Sequence, residues 1–383
     1  MKKSQEKIIK IISELEDKFP ERERLVIGAM TALIAGEHVL MLGPPGTAKS
    51  LFARRIAEAT AGGSFFELLL TKFTTVEEMY GPISFSALKK DKYMRILDGF
   101  AATKRVWFLD EIFKSSSAIL NCQLTAMNER MFHNGGSPVP IPLDMVLAAS
   151  NEYPQDESLK ALFDRFTLKY WVDYISDRDQ LERLMLAGGV DKMNNVMNDS
   201  ELDELRDLCA NVPFGSQQVK ILLDIKVNIE AEGFTVSDRN WVKAIKMIKA
   251  RAVLSGRDVV KSSDYLILAD MFWKEHKDRE RLHTIIGNAS DPYGSKAIAI
   301  IDAVKTTMKR LPDIAILKSG QKTKVEFMQS VNELSSELTS RRQALDAIEK
   351  ESSDNDSVKD AADIVNNAIK TIQELSKKAL FGE

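Results

Sequence analysis

The chain is poor in the residues that build disulfide frameworks and zinc sites. Its 383 residues include two cysteines, Cys122 and Cys209, and four histidines, His38, His133, His276 and His283. Two thiols cannot form a disulfide framework or supply a four-thiolate metal site. The histidines lack metal-ligand spacing, except that His276 and His283 fit one face of a polar helix, where solvation is the simpler expectation. An excess of one charge is also missing. Lys and Arg number 53 against 56 Asp and Glu, a net −3 that gives no bulk attraction to nucleic acid or anionic lipid. No apolar run approaches a membrane span. The opening Met1-Lys-Lys-Ser-Gln-Glu-Lys7 leads into an amphipathic helix pattern, not a signal peptide. These absences point to a reducing, cytoplasmic location. The remainder is ordinary globular material, 44% hydrophobic and 28% charged, at a length that suits two or three domains.

Residues 37–51 organise the chain. Val39 to Leu42 is an apolar run too short for a helix, so it reads as a buried strand. Gly43, Pro44, Pro45, Gly46 and Thr47 form a turn-rich loop. Ala48, Lys49, Ser50 and Leu51 then open a helical pattern with an apolar face at Leu51, Ile56 and Ala59. Strand, glycine loop and helix with Lys-Ser at its start is a phosphate-binding loop. Backbone N–H groups and the helix dipole meet the phosphates, Lys49 neutralises them, and the Ser50 hydroxyl is placed for Mg²⁺. The usual pattern has Gly before the Lys; Ala48, small and compatible with helical angles, is read as a mild substitution.

A second motif supports the first. Arg105-Val-Trp-Phe-Leu-Asp110-Glu111 reads as a buried strand ending in two carboxylates. Ligands of open parallel sheets bind at that carboxyl edge. Asp110 is suited to hold Mg²⁺ and Glu111 to orient or deprotonate an attacking water. Met145 to Ser150 is another strand running into Asn151, whose amide can hold that water; the bland alternative is a loop cap. Phe65–Leu70 and Thr167–Val172 complete five strands.

Helices are expected over 4–18 and 22–35, the second closed by Gly36. Thr74 to Met79 reads as a short capped helix before Gly81-Pro82. Residues 83–98 read as an inserted hairpin or a strand–helix excursion. A helix over about 115–130 is followed by Phe132-His-Asn-Gly-Gly-Ser-Pro138, a plain turn. From about 178 the pattern is helical, with helices at 181–186 (stopped by Gly188-Gly189), 202–208, 219–229 and one begun at Ser237 as a cap. Arg239 lies in that helix's first turn, where the macrodipole gains nothing from a cation, so another partner such as a phosphate is indicated. In the charged, glycine-poor stretch 275–383, two heptad runs flank the polar Lys350–Ser357 and fit an antiparallel hairpin at 323–380.

Gly43-Pro-Pro-Gly-Thr-Ala-Lys-Ser50, Phe108-Leu-Asp-Glu111, Ala149-Ser-Asn151, Leu162-Phe-Asp-Arg-Phe166 and Ser237-Asp-Arg239 stand in the order found in AAA+ ATPases. In detail they resemble the MoxR branch, RavA-type members most, over about residues 5–275. Ala48 is usual for that branch. The resemblance implies an α/β fold: a five-stranded parallel sheet of order 5-1-4-3-2 sandwiched by helices, then an all-α lid. The expected domains are a nucleotide-binding core at 1–185, a lid at 186–275 and a helical extension at 276–383. It also implies ATP and Mg²⁺ as cofactors and a ring, usually a hexamer, with ATP at subunit boundaries. By resemblance Lys49 and Ser50 are Walker A, Asp110 and Glu111 Walker B, Asn151 sensor 1, Arg165 the arginine finger and Arg239 sensor 2. Residues 83–98 match the helix-2 insertion, near the pore. The resemblance thins after about residue 310.

The function so implied is ATP-driven remodelling or maturation of a protein client, a chaperone role. Family members commonly work with a von Willebrand factor A domain protein. Two other readings stand beside it: a nucleic-acid-dependent motor, against which the neutral charge balance speaks, and a nucleotide-gated scaffold, against which the intact Asp110, Glu111, Asn151 and Arg165 speak.

Overall fold

The computed structural model describes residues 2–60, 62–187, 189–311, 324–352 and 355–381. Gly188, part of the stop expected after 181–186, and two residues of the 350–357 turn lie outside them. The described chain divides into two compact units, residues 1–223 with 229–283, and residues 224–228 with 284–383.

The first unit is built on a five-stranded sheet. Its strands are β1 (Val39–Leu42), β2 (Phe65–Leu69), β3 (Val106–Asp110), β6 (Met145–Ser150) and β7 (Leu168–Trp171). They lie in the order β2-β3-β6-β1-β7, all neighbours parallel. Counting only these five in chain order gives 2-3-4-1-5, the expected 5-1-4-3-2 from the other edge. The sequence reading lacked a second, separate sheet, the antiparallel hairpin of β4 (Met131–Asn134) and β5 (Ser137–Pro140). Gly135-Gly136 is the turn at its tip, while Phe132–Asn134 and Ser137-Pro138, expected as part of that turn, are strand.

Central strands of a parallel sheet are covered on both faces and read as unbroken apolar runs. All four residues of β1 and all six of β6 are buried accordingly. Helix α2 (Glu23–Ala35) packs on β1 and β7, and α3 (Lys49–Thr60) on β3 and β6. Gly36 ends α2 with φ of 69°, the left-handed cap that glycine adopts without steric cost. Ahead of them runs α1 (Lys3–Lys18), its buried stripe Ile8, Ile11 and Leu15 facing the core.

Between β2 and β3 come α4 (Val76–Tyr80), capped by a Thr75–Glu78 box, and α5 (Phe85–Leu88). The inserted segment is a single helical turn closed by one bridge, Ile83 to Arg95. The β4–β5 hairpin holds it. Asn134 Oδ1 accepts from the Arg95 backbone N–H at 2.6 Å, and Asn134 Nδ2 donates to the Arg95 carbonyl at 3.1 Å. This insertion leaves apolar side chains in solvent, Phe85 70% and Tyr93 56% exposed, and Phe73 ahead of it is 90% exposed.

Helices α6 (Ser117–Glu129) and α7 (Glu157–Phe163) complete the sheet region. Beyond β7, α8 (Arg178–Ala187), α9 (Asp199–Asn211), α10 (Ser216–Ala231), α11 (Asp238–Leu254) and α12 (Leu268–Phe272) are all helical. Helix α11 packs on α1, α2 and α9. A buried cluster ties it to the strand entering the phosphate loop: Lys243 Nζ lies 2.6 Å from Glu37 Oε2, and Thr167 Oγ1 donates to the same oxygen at 2.6 Å. His276 stands in a short 3-10 turn and His283 inside α13 (Arg279–Ser290), so the two do not share the helix face that their spacing suggested.

The second unit contains three packed helices. Helix α14 (Pro292–Lys309) lies against the two long helices Lys324–Glu351 and Asp356–Phe381. The heptad residues Phe327, Val331, Leu334, Leu338 and Leu345 meet Val358, Ala361, Val365 and Ile372 in one core, which Ala297, Ile300 and Val304 of α14 complete. Arg341, which falls between the heptad residues Leu338 and Leu345, is exposed.

Candidate active site

The loop from Gly43 to Ser50 lies at the carboxyl edge of the sheet, beside the ends of β6 and β3. Gly43 donates its N–H to the Ser150 carbonyl at 3.1 Å. Its φ is 141°, and a Cβ there would stand 2.1 Å from the Val172 carbonyl oxygen, so only glycine fits. Ala48 has φ of 62°. This corrects the expectation of ordinary helical angles: the position is left-handed, the conformation glycine adopts most easily. Lys49 opens α3 and turns its ammonium back over the loop, donating to the carbonyls of Gly43 (3.0 Å) and Pro44 (2.8 Å) and to Thr47 Oγ1 (3.1 Å). Burial lowers its pKa, and the charges of Asp110 and Glu111 oppose that shift.

Asp110 ends β3, and its Oδ1 accepts from the Glu111 N–H at 2.9 Å. Burial, reinforced by the Glu111 charge, holds the Asp110 carboxyl above its ordinary range, and the Glu111 N–H and Lys49 offset part of this. Glu111 itself is left-handed, φ 52°. Its Oε2 is buried with no hydrogen-bond partner among the described residues; Lys114 Nζ stands 3.4 Å away, and the Lys49 charge also acts on Glu111. A buried carboxylate oxygen without a donor needs an explanation. A cation with its water beside Asp110 and Glu111 would supply one, so these carboxylates fit Mg²⁺. Asn151 follows β6 at the same edge, next to the Ser150–Gly43 contact, and is exposed.

Arg165 and Arg239 form a separate group. The Arg165 Nη1 donates to the Ala161 carbonyl at 2.8 Å, while its Nε is buried with no hydrogen-bond partner among the described residues. Burial lowers its pKa, and the next largest cause is the positive charge of Arg239. Asp164 brings them together: Asn240 Nδ2 donates to Asp164 Oδ1 at 3.0 Å and Ser237 Oγ to Oδ2 at 3.5 Å, so the start of α11 is fixed to the end of α7. Ser237 is the N-cap residue of α11 by position, but its hydroxyl makes no capping bond. The charged neighbours of Lys49 are Asp110, Glu111 and Arg22; those of Arg165 are Arg239 and Asp164. The expected sensor 2 residue thus stands close enough to the expected arginine finger for their charges to interact.

Sequence motifs did not disclose a cavity of about 300 Å³ beside Gly46, Thr47 and Ala48. Phe19, Pro20, Ile175, Leu181, Leu184 and Val190 give it apolar walls, and Arg22 lines it too. Its size and lining suit a planar base. The walls come from a helix-connecting turn, the loop after β7 and α8, which no local pattern links. Among the described residues no group of three or more His, Cys, Asp and Glu is placed to hold a metal, and no helix is long and apolar enough to cross a membrane.

Residues 6–210 match the family described as the MoxR domain in MoxR–vWA–β-propeller ternary systems, and residues 217–286 match an AAA lid domain. Two uncharacterised proteins of Methanocaldococcus jannaschii are 34% and 33% identical; the first match covers 82% of this chain and 83% of the relative, the second 79% and 82%. The chaperone MoxR1 of Mycobacterium tuberculosis is 23% identical over 64% of this chain and 68% of its own length. The crystal structure of a candidate ATPase from Cytophaga hutchinsonii superposes with a TM-score of 0.59 at 19% identity, over 74% of this chain and 94% of the other, a likeness of fold.

Proposed function

Because the chain belongs to the MoxR family of AAA+ ATPases, we propose that it hydrolyses ATP in a ring whose active sites are completed by the neighbouring subunit. One observation carries this reading: Arg165, beside Arg239 and next to the Asp164 bonds to Ser237 and Asn240, keeps a buried Nε with no partner among the described residues. A guanidinium pair that repels itself and has a buried, unbonded Nε is poised for an anion. The neighbour's triphosphate is that anion. Residues 1–185 serve as the nucleotide-binding core, 186–275 as the lid and 276–383 as an extension.

In this reading the loop N–H groups and Lys49 bind the phosphates, and Glu111 orients or deprotonates the attacking water. Asn151 holds that water in line. Ser50 and Asp110 hold Mg²⁺, which when bound neutralises charge on the β- and γ-phosphates. Arg165 and Arg239 stabilise the charge that develops on the neighbour's transferring group, a role worth about 10³–10⁵ in rate when an arginine finger supplies it. The exposed Phe73, Phe85 and Tyr93 offer an apolar surface for a protein client, which suits remodelling. A von Willebrand factor A domain protein is the partner suggested by the systems for which the matching family is described. We place the assembly, a hexamer, in the cytoplasm.

The test is ATP turnover against protein concentration for the wild type, Arg165→Ala, and an equimolar mixture of Arg165→Ala with Glu111→Gln. Specific activity should rise with concentration. Each variant alone should be inactive, and the mixture should regain activity where an intact Glu111 meets an intact Arg165. Flat activity per chain, indifferent to Arg165, means a self-contained site and no shared ring.

A further inference from the structure

The turn joining α1 to α2 is built with more constraint than a connector needs. Glu21 has φ of 58°, a left-handed conformation uncommon for a residue with a side chain. Of the five such residues in the described chain, three are Glu21, Ala48 and Glu111, and the last two belong to the nucleotide site. Strained backbone persists where the surroundings over-determine it. Here they do. The Glu21 carboxylate accepts from the Ser176 N–H at 3.0 Å, the Asp177 N–H at 2.6 Å and the Ser176 hydroxyl at 3.1 Å. These are the last residues before α8. The bonds hold the Glu21 carboxyl below its ordinary range, the Asp177 N–H being the largest cause.

The strained turn places Arg22. Its Nη1 donates to the Glu21 carbonyl at 3.0 Å, and its Nη2 donates to the Asp173 carbonyl. Arg22 lines the cavity beside the phosphate loop, and its charge helps to depress the Lys49 ammonium, after burial. Two cations that feel each other's charge beside the loop repel until an anion joins them. A guanidinium carries five N–H donors, so one anchored to two carbonyls still has donors for a phosphate.

We infer that Arg22 is a second nucleotide-binding cation that contacts the phosphate next to the base, and that the Glu21 clamp makes its placement depend on the start of α8. This rests on the nucleotide-binding reading above. Lys49 meets the terminal phosphates from within the loop; Arg22 stands on the cavity side, where ATP and ADP present the same group. Movement of α8, the helix that leads from the core toward the lid, pulls on Glu21 and withdraws Arg22, so its position alters affinity through this one turn.

Calorimetric titration of the full chain with ADP and with ATP in Mg²⁺ tests it. Arg22→Ala should weaken both nucleotides by a similar factor, roughly tenfold, the loss expected for one hydrogen bond to a charged group. Glu21→Ala should weaken both less, and in the double variant it should add little to Arg22→Ala, because it acts through Arg22. Arg22→Lys, which keeps the charge without the fork, should fall between. Each variant is checked for wild-type unfolding temperature. Wild-type affinity in a folded Arg22→Ala overturns this inference alone; additive effects of Glu21 and Arg22 overturn the clamp. A wild type that binds neither nucleotide overturns the reading on which it rests.

Discussion

The hydroxyl of Tyr153 meets His276 twice, accepting from its backbone N–H at 3.0 Å and standing 2.9 Å from its Nδ1. Because the hydroxyl accepts from the N–H, it is free to donate its own proton to the ring nitrogen. The imidazole also stacks on Trp171, ring centroids 4.3 Å apart. Tyr153 lies two residues beyond Asn151, and His276 a few residues beyond α12, so the turn that follows Asn151 is held by the segment after α12. Tyr153→Phe keeps the ring and loses both bonds. Turnover at saturating ATP should fall about threefold to tenfold, the scale of one or two neutral hydrogen bonds, with KM nearly unchanged. Steady-state kinetics checks this; an unchanged kcat means the turn is held by other contacts.

The buried cluster joining Lys243 of α11, Glu37 and Thr167 sets a second expectation. Lys243→Ala leaves the Glu37 carboxylate buried without its counter-charge, which costs about 3–5 kcal/mol. Pairing it with Glu37→Gln removes the stranded charge and should recover most of that loss. Denaturant unfolding of the two variants reads the difference, and equal destabilisation would contradict the assignment.

Ala48 offers a change in the opposite direction. At φ of 62° a Cβ costs about 1–2 kcal/mol, while glycine in the unfolded chain costs about 0.5–1 kcal/mol in entropy. Ala48→Gly should therefore be neutral to stabilising by about 1 kcal/mol, measured as a rise in unfolding midpoint. A clear loss of stability would show that the methyl group has a packing partner.

Lys169 gives a pH dependence. Its wholly buried ammonium donates to the Met271 carbonyl at 2.5 Å and stands 5.1 Å from the centre of the Phe163 ring; burial brings its pKa down to about 8. An unfolded lysine titrates near about 10.4. Between these values the unfolded chain keeps a proton that the folded chain has released, so stability rises with pH across that window, and below it the full cost is present. The difference amounts to about 3 kcal/mol. Unfolding free energy measured from pH 7.5 to 10.5, about the window just stated, should climb for the wild type relative to Lys169→Met. Parallel curves for the two would remove Lys169 as the cause.

What was legible in the sequence is what lies within a few residues along the chain. Val39 to Leu42 had to be a covered strand because four apolar residues in a row have no exposed face to offer. Gly43 to Ser50 and Asp110-Glu111 each carry their chemistry contiguously, so their placement at one sheet edge follows once the strands are parallel. The heptads at 327–345 and 358–372 likewise announced a helical pair, but the contribution of α14 to their core was not visible, since its apolar residues satisfy several packing arrangements equally.

Only the tertiary structure decided which distant residues share a site. Arg239 comes to Arg165 because Asp164 bonds Ser237 and Asn240, more than 70 positions away. Arg22 comes to Lys49 because Glu21 is fastened to Ser176 and Asp177. Lys169 reads as one polar residue in a strand until burial beneath Met271 and Phe163 changes its acidity. Such pairings depend on chain closure over long loops and on desolvation, which residue spacing does not encode. Local pattern determined the elements and their motifs; packing decided where each charge stands and which neighbour it meets.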